Sequence, residues 1–241
     1  FYYGNQSASS SASSLFFAEN SLAEDLLSYW KMDEETGSVA DDSGTDNPGT
    51  VTGTSIESGL INNARQFSAS TDYVEATNRY DSLSALSIAF WIWRPNSSTI
   101  YYHLLGNNNN HAAASDGFRF LKRNSETSNL QFRVGKDGTL PIVSVDALPT
   151  EEWAHVVGTF AGGNQLRLYI NGSFVGSANT AITDTGISGE PFRIHRNPAN
   201  EYGVPNTLID EVMIYNRVIS DAEIEQLYNG GSGVSFGIPT F

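Results

Sequence analysis

Apolar and polar positions alternate along most of this chain in short runs broken by turn residues, roughly one run per 8–12 residues. Leu27-Ser28-Tyr29-Trp30-Lys31-Met32 alternates, and residues 63–68 and 73–76 flank a turn at Ser70-Thr71-Asp72. Residues 86–93 form a longer apolar run stopped by Pro95, which has no ladder donor. Residues 117–121 face 130–134 across a polar loop, and 153–160 join 165–170 through Ala161-Gly162-Gly163-Asn164. Asn171-Gly172, between Tyr169-Ile170 and Ser173-Phe174-Val175, is the strongest hairpin signal, with Gly172 expected at positive φ. These period-2 runs predict an all-β, two-sheet antiparallel fold, and no internal repeat interrupts them.

One helix of consequence is predicted, over 220–228. Ser220 can cap it and Glu223 can reach back, a capping box, while Asn229, Gly230 and Gly231 end it. Residues 21–28 suit a turn. The two ends read differently from the middle. Residues 1–20 hold Phe1-Tyr2-Tyr3, a serine/alanine tract and Leu15-Phe16-Phe17; residues 230–241 hold a glycine-rich hinge and an apolar tail with Val234, Phe236, Ile238 and Phe241. The expected domain is therefore 21–229, with a tail on each side. Those side chains prefer burial, either on the domain's own edges or on a neighbouring copy, where a tail can add a strand to a sheet edge. The opening residue, Phe1 rather than Met, implies a processed or trimmed start.

Five blocks spread over about 26–229 resemble the laminin-G-like, concanavalin A-like jelly-roll family. The opening run from Leu27 to Asp33-Glu34 is similar to that family's first strand. Asp42-Ser43-Gly44-Thr45-Asp46-Asn47-Pro48-Gly49-Thr50 resembles its polar loop, from which Thr45 and Asp46 depart. Ala64-Arg65-Gln66-Phe67 with Asp72-Tyr73-Val74, then Leu86-Ser87-Ile88-Ala89-Phe90-Trp91, match in order. Trp153-Ala154-His155-Val156, followed by Leu168-Tyr169-Ile170-Asn171-Gly172, matches best. Thr207 to Arg217 with the capped helix resembles the family's ending. The resemblance implies a jelly-roll sandwich. It implies function only loosely, because that fold serves binding, scaffolding and catalysis.

Composition narrows the choice. In 241 residues, hydrophobic positions are 39% and aromatic ones 12%, enough for one sizeable core. The balance of 13 basic against 27 acidic residues gives a net charge of −14, which repels nucleic-acid phosphates and anionic lipid. With Cys at 0, disulfides, thiolate metal sites and cysteine nucleophiles are excluded. No run of about 18 apolar residues is present to span a membrane.

Asp33, Asp41, Asp42, Asp46, Asn47 and Asp210 make an oxygen-rich set of the kind hard cations need. The same residue types are common in turns for their own side-chain bonds. The family resemblance implies one structural calcium, with Asp33 and Asp210 as side-chain ligands and carbonyls near Asn47 and Gly49. Glycosidases need two carboxylates at a set separation; the E-x-D-x-x-E run of the glucanases is absent. Glu151-Glu152 and Asp210-Glu211 are adjacent pairs that a regular strand would point to opposite faces. His103, His111, His155 and His195 are scattered, with no nucleophile or metal motif beside them. No catalysis is expected. Sugars are held by aromatic stacking and by amide or carboxylate hydrogen bonds, which nominates Trp93, Tyr101, Tyr102, His111, Asn197 and Tyr202.

Two functions follow. The first is a secreted, non-catalytic, lectin-like module binding a glycan or a cell-surface protein. The alternative is a structural subunit of an extracellular filament, sheath or shell, assembled through the terminal tails.

Overall fold

The computed structural model describes residues 21–77, 80–96, 101–108, 116–123, 129–146, 148–197 and 203–237. Phe1 to Phe17 and Ile238 to Phe241, to which tail contacts were assigned, lie outside them. The strands are β1 (Leu26–Trp30), β2 (Gly49–Thr52), β3 (Ser55–Ser58), β4 (Asn63–Phe67), β5 (Tyr73–Ala76), β6 (Ala85–Trp93), β7 (Tyr101–Gly106) and β8 (Gly117–Arg123). They continue as β9 (Asn129–Gly135), β10 (Ile142–Asp146), β11 (Trp153–Ala161), β12 (Gln165–Ile170), β13 (Ser173–Asn179), β14 (Phe192–Ile194) and β15 (Thr207–Tyr215). One sheet, sheet A, runs β13-β12-β11-β6-β15-β4-β3, with β1 also paired to β15; sheet B runs β10-β9-β8-β7-β14-β5-β2. The ladders are antiparallel. The fold is the expected two-sheet sandwich.

Alternation fills the space between the sheets. Leu86, Ile88, Phe90 and Ile92 of β6 meet Phe118, Phe120, Leu130 and Phe132 of sheet B in one core cluster. Burying each such side chain contributes roughly 1.5–3 kcal/mol. Phe90 packs edge-on to Phe120 at 5.2 Å, and Phe120 stacks on Phe132 at 4.6 Å. Gly158 of β11 makes room for that pair, since a Cβ there would lie 2.4 Å from Phe120 Cζ. The hairpin between β12 and β13 turns at Asn171 (φ 52) and Gly172 (φ 75), both left-handed as a two-residue turn of this kind requires.

The outer face of sheet A is covered as well. Helix α1 (Asp221–Tyr228) is capped as expected: Glu223 N donates to Ser220 Oγ (3.3 Å) and Ser220 N to Glu223 Oε2 (2.8 Å). Its Ile224 and Leu227 join Tyr29, Ala89, Val157, Tyr169, Met213 and Tyr215 in a second apolar cluster. Arg217 ties the helix to the start of the described chain, donating from NH2 to Glu223 Oε1 (2.7 Å) and to the Ser21 carbonyl (2.6 Å).

The glycines after the helix do not hinge the chain away. Phe236 is buried in this second cluster and Val234 packs against it. Up to Gly237, then, the C-terminal segment belongs to the domain. Val234 and Phe236, two of the apolar side chains that suggested a docking tail, thus pack on the protein's own sheet.

Candidate functional site

β15 is the strand where sheet A changes partners. One edge pairs with β6 at residues 208–210 and 213–215; the other pairs with β4 at residues 207–209 and with β1 at 212–215. Asp210 and Glu211 fall in the gap, at a register shift, with Glu211 at φ 51. A regular strand would send them to opposite faces, as expected above. The bulge instead turns both to the outer side. Asp210 is level with Trp91, and Glu211 accepts a hydrogen bond from Tyr29 OH, an outer-face residue.

Both acids are buried. Asp210 Oδ2 accepts from the amides of Leu60 and Ile61 (3.1 Å each), while Asp210 Oδ1 and Glu211 Oε1 have no hydrogen-bond partner. Burial, with the nearby Asp33 carboxylate, pushes the pKa of Asp210 up to about 7. Burial, with Asp210 beside it, pushes that of Glu211 up to about 8. The C-terminal segment closes over this pocket of charge. The Ser235 hydroxyl donates to the Tyr29 phenol oxygen (3.1 Å), and a Cβ on Gly233 would meet Ile61 Cδ1 at 2.8 Å. Across β6, His155 is level with Trp91, and the rings of His155, Trp91 and Tyr228 of α1 form a mutual cluster with centroids 4.9, 5.8 and 6.3 Å apart. Burial drops the His155 pKa to about 3, so it is a neutral packing group.

The four residues assigned to calcium divide into two places. Asp33 and Asp210 meet at the turn through residues 59–63: Asn63 N donates to Asp33 Oδ1 (3.0 Å) and the Leu60 and Ile61 amides to Asp210. Asn47 and Gly49 belong to a different network. The Asn47 carbonyl accepts from Trp30 Nε1 (2.9 Å), and the Gly49 carbonyl from Val39 N (2.8 Å). That polar loop is organised by Asp41, which accepts from Tyr29 N (2.9 Å), Ser43 N (3.0 Å), Asn47 N (3.0 Å) and Thr45 Oγ1 (2.9 Å). Thr45, a departure from the family pattern, is thus a strut of the loop. Among the described residues no three acidic or histidine side chains converge as a metal set. The Asp33–Asp210 pair, with its one unbonded buried oxygen, fits a cation; Asn47 and Gly49 do not add to it.

The sugar-binding candidates also scatter. Tyr102 lies in β7 and its ring is buried in the sandwich core, where desolvation pushes its hydroxyl up to about 12. Asn197 is buried, its carbonyl accepting from Arg193 NH1 (3.2 Å). Neither side chain therefore offers a surface to a sugar. Tyr101 holds a place in β7, its side chain outside the described set; His111 and Tyr202 lie outside the described residues. Trp93 is the candidate that keeps a surface. It ends β6, points outward by alternation with Ile92, and is half-buried. Directly across the ladder stands Trp153, also half-buried at the start of β11. Trp153 is not among the residues that the sequence nominated. Register, which needs the pairing of distant strands, puts it beside Trp93. The row continues through Leu208 to Gln66.

The chain belongs to the concanavalin A-like lectin/glucanases superfamily: the Laminin_G_3 family profile matches residues 68–225, more than half of its length. No curated protein sequence matches significantly. Among solved structures, domain 4 of AbnA, an extracellular arabinanase from Geobacillus stearothermophilus, solved with arabinotriose, is similar at TM-score 0.65 and 18% identity. That match covers 83% of this chain and 97% of that one. The ligand-binding domain of botulinum neurotoxin serotype D, solved with N-acetylneuraminic acid, is similar at TM-score 0.69 and 18% identity over 88% of this chain and 52% of that one. The binding domain of Paraclostridial Mosquitocidal Protein 1 is similar at TM-score 0.65 and 21% identity over 87% and 53%. This chain spans about half the length of the two toxin domains. These likenesses establish the fold. No helix among the described residues is long and apolar enough to cross a membrane.

Proposed function

We propose that this domain is a secreted, non-catalytic module that recognises glycans. The observation that carries the reading is the Trp93–Trp153 pair, two large aromatic side chains directly opposed across a ladder and left half-buried at the rim of sheet A. Aromatic rings at a sheet surface stack on the apolar faces of sugars, and Gln66 in the same row supplies amide hydrogen bonds. Support comes from the structurally similar domains solved with arabinotriose and with N-acetylneuraminic acid. The paired acids Asp210 and Glu211 are enclosed under the C-terminal segment, which suits stability rather than attack on a glycosidic bond.

A glycan array followed by titration with the best ligand tests this. Trp93→Ala and Trp153→Ala should each weaken binding at least tenfold, about 1.4 kcal/mol, while circular dichroism stays native. Folded variants that bind like the parent would sink the proposal.

We also propose that Asp33 and Asp210 hold a structural calcium, assisted by carbonyls or water. The unbonded Asp210 Oδ1 supports this. A cation there would neutralise two neighbouring carboxylates at the turn through residues 59–63.

A further inference from the structure

A row of arginines crosses the outer face of sheet B. Ladder pairing runs from Glu75 to Arg193, from Arg193 to Gly106, from Gly106 to Arg119 and from Arg119 to Arg133. The neighbours of each arginine on its own strand (Phe192 and Ile194, Phe118 and Phe120, Phe132 and Val134) are in the core. All three guanidinium groups therefore project to the opposite face. Adjacent strands are about 4.8 Å apart, so this is a line of like charge.

Like charges opposed across a ladder repel, and Arg119 and Arg133 carry theirs in buried surroundings. Glu75 is the acid paired in this row between β5 and β9. At the β14 end the row reaches the surface. Arg193 and Arg196 are half-buried, and both guanidinium groups approach the ring of half-buried Tyr73, at 4.8 and 5.6 Å. Arg193 Nε donates to Glu75 Oε2 (2.5 Å), so this fork already takes one carboxylate.

We infer that Tyr73, Arg193 and Arg196 form a second binding site, which takes the carboxylate of an acidic sugar. The planar guanidinium fork matches a carboxylate in two parallel hydrogen bonds. Tyr73 offers an aromatic edge to the sugar ring, and Arg119 and Arg133 behind it raise the local positive potential inside an otherwise acidic molecule. Glu75 acts as the resident anion that the ligand's carboxylate displaces. This rests on the glycan-recognition reading but not on the tryptophan pair, which lies on the other sheet.

The test titrates the full chain with an oligogalacturonate and with the same oligomer after reduction of its carboxyl groups. The acidic form should bind at least tenfold more tightly, with a preference that shrinks as salt rises. Arg193→Gln with Arg196→Gln should abolish the preference, Arg193→Lys should restore only part of it, and Glu75→Gln should increase it. Thermal melts establish that each variant is folded, and all three residues are half-buried rather than core. A parent protein that binds both oligomers equally, or neither, overturns the inference, as does a double variant that keeps the preference. Loss of neutral-glycan binding in Trp93→Ala with the acidic preference intact supports the site independently. Neutral binding through the tryptophans without any acidic preference overturns this inference alone.

Discussion

Phe236 stacks on Tyr29 with ring centroids 5.0 Å apart, joining the last described segment of the chain to its first strand. The same tyrosine donates its proton to Glu211 and accepts a hydrogen bond from the Ser235 hydroxyl. Phe236→Ala should therefore cost roughly 3 kcal/mol, in the range for emptying a buried phenylalanine site. Deleting residues 234–241 should cost at least as much, because Glu211 and Tyr29 lose their cover. Urea unfolding measures both. A truncated chain as stable as the parent would show that the segment merely rests on the sheet.

The buried acids give the domain a pH dependence of definite sign. Burial raises Asp210 to about 7 and Glu211 to about 8, so both bind a proton more tightly folded than unfolded. Their contribution is complete below the unfolded carboxylate range, about pH 4, and is lost as pH rises through 7 and 8. His155, lowered to about 3, works the other way: its contribution is complete above about pH 6.5 and is lost on acidification. Between about pH 6.5 and 8.5 the acids act alone, and stability should fall. Glu211→Gln should flatten that fall. Superimposable profiles for parent and variant would contradict the burial argument.

Calcium should raise the melting temperature, since it binds the folded state. The rise should be larger at pH 8 than at pH 6, because the cation competes with the proton that Asp210 carries. Asp33→Asn and Asp210→Asn should each diminish it. Identical melts in millimolar calcium and in chelator would remove the site.

Gly106 sits between Arg193 and Arg119 with φ 145, and a Cβ there would fall 2.3 Å from the Phe118 carbonyl oxygen and 2.6 Å from Arg119 Cα. Gly106→Ala should cost about 1–3 kcal/mol or more, as backbone must move to relieve the overlap. An unchanged denaturation midpoint would mean that sheet B bends there easily.

The sandwich was legible because its signals are local. Period-2 runs mark β6 and β11, Asn171-Gly172 marks a hairpin, and Ser220 with Glu223 marks a helix start. What escaped depends on pairing between distant strands. The arginine row is invisible until β14, β7, β8 and β9 are aligned, and so is the partnership of Trp153 with Trp93. The bulge at Asp210-Glu211 carries no glycine to announce it, so the acids read as a regular strand pair. Tyr102 was nominated by residue type alone, and its burial depends on core partners far away in sequence. Val234 and Phe236 looked like a detachable tail because the surface they cover is assembled from strands far away in sequence.

β15 is the last strand among the described residues and yet lies in the interior of sheet A, paired with β6, β4 and β1. A growing polypeptide cannot complete this sheet until β15 has left the ribosome. Until then β6 and β4 present open edges to other chains. Closure through such distant pairing is slow relative to local hairpin formation. The domain thus matures in a single late step, and nascent chains stalled before β15 should be the species that molecular chaperones bind.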